Sequence, residues 1–176
     1  MYYKIIDGKK IFVALIAMLA VALAPSVVSS VRADDIVGTN DDDVLPGTND
    51  NDRIWGLKGD DVMWGKSQED KLYGMDGEDN IMGNSGDDFI LAGDDEDIVE
   101  GNGGDDTIYG GKNSDVIQGN SGDDDITGGK GNDKLYGGKD DDRLRGGSGA
   151  DKFDCGSGDD IILDYHPSQG DTKKSN

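Results

Sequence analysis

The sequence is short of most of what a globular core or a metalloenzyme is built from. In 176 residues it has one cysteine, one histidine, three prolines, two Trp, six Tyr and three Phe. A single cysteine excludes an intramolecular disulfide framework and any multi-cysteine metal site. A single histidine, His166, leaves zinc without its usual ligands. Positive charge is scarce too, with 17 Lys+Arg against 38 Asp+Glu and a formal net charge of −21. Such a chain is not drawn electrostatically to nucleic acid or to anionic membranes. Apolar residues are few and unevenly placed: Met1 to Ala33 hold 23 of the 59, and the remaining 143 residues hold 36. Those 143 carry 13 basic and 37 acidic side chains, a net −24. On composition alone this is a disordered chain. Either it stays disordered, or a cation makes its folding feasible.

The sequence has one long apolar run, Ile11 to Ala24, 14 residues. Lys4, Lys9 and Lys10 precede it, Pro25 breaks it, and Val31-Arg32-Ala33 offers a signal-peptidase site. This is the tripartite secretory pattern. The run falls short of the roughly 20 residues that a membrane span needs. The expectation is a secretory signal at 1–33, cleaved after Ala33, with a retained N-terminal anchor as the alternative. No cysteine follows the run to carry a lipid. The mature chain then starts at Asp34, secreted or at the cell surface, where calcium is plentiful, and holds no membrane span.

From Gly38 to Leu163 the chain divides into 14 nine-residue units without an insertion, beginning GTNDDDVLP and GTNDNDRIW and ending CGSGDDIIL. The sixth place is aspartate in all 14: Asp43, Asp52, Asp61, Asp70, Asp79, Asp88, Asp97, Asp106, Asp115, Asp124, Asp133, Asp142, Asp151 and Asp160. The eighth place is apolar in all 14, from Leu45 to Ile162, and the first is glycine in 12, with Ala92 and Cys155 as exceptions. A repeat of this length signals a solenoid. The unit reads as a glycine-rich turn and a short strand. One inward side chain per unit makes no core alone. Two units per coil, with their apolar side chains facing, make a thin two-sheet core. Each strand then pairs in parallel with the strand 18 residues on, with coils about 4.8 Å apart.

Stacking puts Asp43, Asp61 and Asp79 in one column and Asp52, Asp70 and Asp88 in another. Bare, these are like charges at close spacing, which resist stacking. A divalent cation between turns reverses the sign. Calcium suits the site: it is hard, takes 6–8 oxygens and accepts carbonyls beside carboxylates, whereas magnesium demands a strict octahedron.

The units resemble the nonapeptide G-G-x-G-x-D-x-U-x of the RTX, or haemolysin-type, calcium-binding repeat. The resemblance spans Gly38 to Leu163. It implies an all-β fold, a right-handed parallel β-roll of about seven coils, with no substantial helix in the mature chain. It implies Ca²⁺ between one repeat and the repeat two further on. The ligands would be the sixth-place carboxylates and carbonyls of the glycine-rich half, among them those of Gly101, Gly110, Gly119, Gly128, Gly137 and Gly146. Pairing each Asp with the one 18 on, from Asp43–Asp61 to Asp142–Asp160, gives at most 12 sites among 14 units. Twelve ions would bring 24 positive charges against the −24 of residues 34–176. Two departures stand out. The fourth place, where the turn needs a positive φ, is Asp41, Asp50, Gln68, Asp95, Asn113 or Asp140 in six units. Asp and Asn tolerate that region and Gln less so, which makes the sites beside Gln68 the weakest. Many relatives are toxins, proteases or lipases exported by a C-terminal signal; this chain has an N-terminal one and no room for a catalytic domain.

The tail 164–176 begins like a cap and stops early, so both ends of the roll are thinly covered and end-to-end self-association is a consideration. The ninth places Trp55, Tyr73, Leu91 and Tyr109 fall 18 apart on one outer face. They form either a ladder that stiffens the sheet or a surface for a polysaccharide or another envelope protein. Trp64 and Met82 make a shorter patch opposite. Cys155 reads as a small residue in a tight turn; a catalytic pair with His166 has nothing to support it. The strict period of the carboxylates marks them as metal ligands rather than a glycosidase pair, and no phosphate-loop motif follows the glycines. The sequence points to a secreted, non-enzymatic calcium-binding protein, structural or matrix-associated. Its alternatives are an adhesin-like module and an accessory chain of a larger toxin or enzyme system.

Overall fold

The computed structural model describes residues 35–174. The expected signal at 1–33 lies outside the described residues. Numbered in chain order, sixteen strands form two eight-stranded parallel sheets. One stacks β1 (Asp35–Val37), β3 (Arg53–Lys58), β5 (Lys71–Asp76), β7 (Phe89–Asp94), β9 (Thr107–Lys112), β11 (Asp125–Lys130), β13 (Arg143–Ser148) and β15 (Ile161–Ile162). The other stacks β2 (Val44–Pro46), β4 (Val62–Ser67), β6 (Asn80–Ser85), β8 (Ile98–Gly103), β10 (Val116–Ser121), β12 (Lys134–Lys139), β14 (Lys152–Ser157) and β16 (Thr172–Lys173). The register is the expected 18 residues: Ile54 pairs with Leu72, Leu72 with Ile90 and Ile90 with Ile108. The roll has about eight turns rather than seven. β1 precedes the first full unit, and β16, in the tail, pairs Lys152 with Thr172 and Phe153 with Lys173. The tail therefore joins the roll. Among the described residues the only helical turn is a 3-10 turn at Pro167–Gln169.

The eighth-place side chains from Ile54 to Leu144 are fully buried between the sheets. Strands run from the seventh place of one unit to the third of the next, with the eighth and first places turned inward. This corrects the simple division into glycine-rich turn and short strand: the first-place glycine is a strand residue. Glycine suits it because its inner side is crowded. A Cβ at Gly65 would lie 2.7 Å from the Gly83 carbonyl oxygen and would meet Asp70 of its own unit. Cys155, in the same place of its unit, is likewise in a strand, β14, and packs against the core with Ile162 and Tyr165.

The corner is made by the fourth through sixth places. Positive φ occurs at the fourth place, as expected, and also at the second, where Leu57, Lys66 and Met75 reach φ 86, 86 and 87°. Gln68, Asp95, Asn113 and Asp140 adopt the left-handed conformation, but Asp41 and Asp50 do not. The first two units turn their corners differently from the other twelve.

Candidate metal centre

Each sixth-place aspartate lies immediately before a strand, so the two columns flank the two sheets. In both, the Oδ1 atom accepts the backbone N–H of the aspartate one coil earlier. Asp43 N–H donates to Asp61 Oδ1 at 2.8 Å, Asp52 N–H to Asp70 at 2.7 Å and Asp79 N–H to Asp97 at 2.8 Å. The series runs on to Asp142 N–H and Asp160 Oδ1 at 3.0 Å. These bonds join coils at the corner, just before the sheet ladder takes over with Val62 N–H donating to the Asp43 carbonyl.

The second oxygen is the chemically informative one. In eleven of these aspartates, from Asp61 to Asp142 and again at Asp160, Oδ2 is buried and accepts no hydrogen bond. A buried acceptor without a donor costs about 1–3 kcal/mol, and more when charged. Repeated at this period, it leaves a row of oxygens able to accept a cation. Burial is the main reason the carboxyls are hard to ionise. It lifts Asp70 to about 6, Asp79 to about 7, and Asp97 and Asp124 to about 8. The N–H from the preceding coil works against the shift, and neighbouring carboxylates add to it.

Backbone oxygens meet these atoms beside the first-place glycines. Around Gly110 the Gly128 carbonyl and Asp115 Oδ2 converge; around Gly119 the Gly137 carbonyl and Asp124 Oδ2; around Gly83 the Gly101 carbonyl and Asp88 Oδ2. Gly110, Gly119 and Gly146 hold the same place in their own units. Among the described residues no three His, Cys, Asp or Glu side chains gather into one cluster. A coordination shell here has to mix one or two carboxylates with carbonyls. That donor set is all oxygen and fits a hard cation of calcium's type, not zinc.

A second acidic ladder, not expected from the sequence, runs beside the first. Fifth-place side chains bond the coil that follows: Asp60 N–H donates to Asp42 Oδ1 at 3.0 Å, Asp105 N–H to Asp87 Oδ1 and Asp123 N–H to Asp105 Oδ1, both at 2.9 Å. Asn132 Oδ1 takes the Ala150 N–H in the same way. At these corners adjacent side chains clamp the coil to both neighbours, the sixth place reaching back and the fifth reaching forward. The signal was present, since the fifth place is Asp, Glu, Asn or Ser in every unit but the one with Ala150.

The other omission is in the tail. Asp171 extends one column past Asp151: its Oδ1 accepts the Asp151 N–H at 3.0 Å and its Oδ2 the His166 N–H at 2.6 Å. Asp164 accepts the N–H groups of Gly146 and Gly147 at 2.8 and 2.9 Å. Gly170, at φ 107°, followed by Asp171-Thr172 is a fragment of the repeat displaced by two residues, which a strict nine-residue frame passes over.

On the outer face, Trp55, Tyr73, Leu91 and Tyr109 are in register as expected. The rings in contact are Trp55, Tyr73, Phe89 and Tyr109. Trp55 and Tyr73 stack face to face at 5.5 Å and 9°, and tilted contacts of 6.3 and 6.0 Å continue the row through Phe89. Phe89, a seventh-place residue, enters the row at the coil where the ninth place is Leu91. Arg53 lies 5.9 Å from the Trp55 ring. Trp64 and Met82 pair on the opposite sheet. Burial, then the nearby Asp160 and Asp142 carboxylates, hold the Cys155 thiol above its usual range, so it stays protonated.

Fold and site together define a parallel β-solenoid whose corners carry buried oxygen donors for a hard cation. The RTX calcium-binding nonapeptide repeat matches this chain in four copies, over residues 37–72, 73–108, 100–135 and 127–162. The chain belongs to that family, and its repeats are calcium-binding repeats. No curated protein matches it.

Proposed function

We propose that this is an exported structural protein whose roll assembles as calcium enters its corners. Export rests on the signal pattern at 1–33; among the described residues no helix is long and apolar enough to cross a membrane. The observation that carries the folding switch is the set of buried Oδ2 atoms without a donor. Bare, they oppose the fold; neutralised, they hold adjacent coils together. The sixth-place carboxylates and the first-place carbonyls are the proposed ligands, with at most twelve ions on the pairing rule. Millimolar calcium outside the cell matches the range of about 10⁻⁴–10⁻³ M at which extracellular modules bind.

The role is mechanical and non-enzymatic. The aspartates serve the period of the roll, and the stacked Trp55–Tyr73 pair braces the sheet. We place the protein in a cell envelope or matrix. Titrating residues 34–176 with calcium, with far-UV circular dichroism and bound metal followed together, tests the reading. A coil-to-β transition coincident with binding supports it. A chain fully folded in chelator, unchanged by calcium, overturns it.

A further inference from the structure

The first coil is built differently from those that follow. In the twelve units from Gly56 onward the second and fourth places both lie at positive φ; in the two units before it neither does. Their second places are Thr39 and Thr48. Thr39 donates its N–H to Asp43 Oδ2 at 2.6 Å and its hydroxyl to the same atom at 2.9 Å. Thr48 repeats the arrangement on Asp52 Oδ2, with its hydroxyl at 3.0 Å. Each threonine Oγ1 in turn accepts an N–H two residues on, that of Asp41 or Asp50, at 3.2 Å. The oxygen left without a donor from Asp61 to Asp142 is therefore satisfied twice over in Asp43 and Asp52.

We infer that Asp43 and Asp52 are end plugs rather than calcium ligands, so that the first coil closes without metal and the calcium-holding stack begins at Gly56. This rests on the calcium reading above and narrows it. A carboxylate oxygen holding an N–H and an O–H already has charge-assisted bonds in place of water. A cation arriving there would have to displace both and would face the positive ends of two dipoles. The far end repeats the device. Asp171 presents one oxygen to the Asp151 N–H, and its other oxygen is held by the His166 N–H. One aspartate column is thus closed at both ends by protein donors. Solenoids need such terminal units, because an end repeat lacks the neighbour that would complete it. Here the need is acute, since an end coil that depended on calcium would have donors on one side only. Removing the two pairings that use Asp43 or Asp52 leaves two ions fewer than the upper bound of the pairing rule.

Native mass spectrometry of the full chain in calcium chloride counts the ions directly, with circular dichroism confirming the fold of each variant. Asp88→Asn, in the middle of a column, is expected to lose at least one ion, and Asp52→Asn none. A gain variant guards against misfolding: Thr48→Gly with Asp50→Gly restores glycine at both left-handed places and frees the Asp52 oxygen, and is expected to bind one ion more than the wild type. Loss of an ion by Asp52→Asn, or no gain by the folded double variant, overturns the inference while leaving the calcium reading intact. Loss of no ion by Asp88→Asn sinks the sixth-place calcium assignment, and this inference with it.

Discussion

The first coil and the middle of the roll use the same aspartate in two ways. At Asp43 and Asp52 the carboxylate is consumed by a neighbouring threonine; from Asp61 to Asp142 one oxygen is buried with nothing to receive. The side chain and the period are alike. What differs is the second place of the unit, hydroxyl-bearing and outside the left-handed region in one case, left-handed and without a competing hydroxyl in the other. A periodic acid is open to a cation only where the local backbone leaves it unsatisfied. The period alone does not decide it.

The harshest way to break the comparison is to remove the cation. In chelator at neutral pH the middle coils can stack only by burying carboxylates that must either stay charged beside like charges or take up protons, and both oppose the stack. Most of the β signal in far-UV circular dichroism is expected to vanish and to return with calcium near 10⁻⁴–10⁻³ M. Retention of the full signal in chelator would mean that the middle is satisfied as the first coil is.

Protons offer a milder substitute. The middle aspartates have folded-state values of about 7 for Asp79 and about 8 for Asp97, raised above the ordinary carboxylate range chiefly by burial. The folded form therefore binds more protons than the unfolded one, and stability falls as pH rises between about 4 and 8. In chelator the chain is expected to regain ordered structure as pH is lowered from 8 toward 5 and to lose it again on return. With saturating calcium the same pH change should have little effect until the acid displaces metal. A calcium-free chain that is most ordered at pH 8 would contradict the burial argument.

Core truncation separates the regions by packing. Ile108 is fully buried in the middle, whereas Leu45, in the first coil, is 8% exposed with a stack on one side only. In saturating calcium Ile108→Ala is expected to cost about 2–5 kcal/mol in urea unfolding, and Leu45→Ala to fall at or below the bottom of that range. Equal costs would mean that the end coil is packed as tightly as the centre.

Much of this was legible because the repeat is strict. The eighth-place residues fixed the core, the 18-residue register followed from two units per coil, and the sixth-place aspartates fell in the two columns expected. What escaped was whatever depends on hydrogen-bond direction or on broken period. Thr39 and Thr48 look like ordinary turn residues until their hydroxyls are seen on Asp43 and Asp52. The fifth-place ladder was hidden behind the more constant sixth place. Asp171 lay two residues out of frame. The second left-handed position was masked because Leu57, Lys66 and Met75 are residues that seldom adopt it.

Those three residues give the finest test of the difference between the regions. Met75 sits at φ 87° with 45% of its surface exposed, so it pays backbone strain with little burial in return. The left-handed region costs an ordinary residue roughly 1–2 kcal/mol, and glycine gives part of that back through its freer unfolded state. Met75→Gly is therefore expected to stabilise the calcium-loaded roll by about 0.5–1 kcal/mol. Thr48, at the same place of an earlier unit, is not left-handed, and there the side chain is the partner of the carboxylate. Thr48→Ala removes that hydroxyl and should destabilise by about 1 kcal/mol. Opposite signs at one place of the repeat, read from urea midpoints in saturating calcium, would establish that the first coil and the middle are held by different forces. Destabilisation by both would show that the second place does the same work throughout.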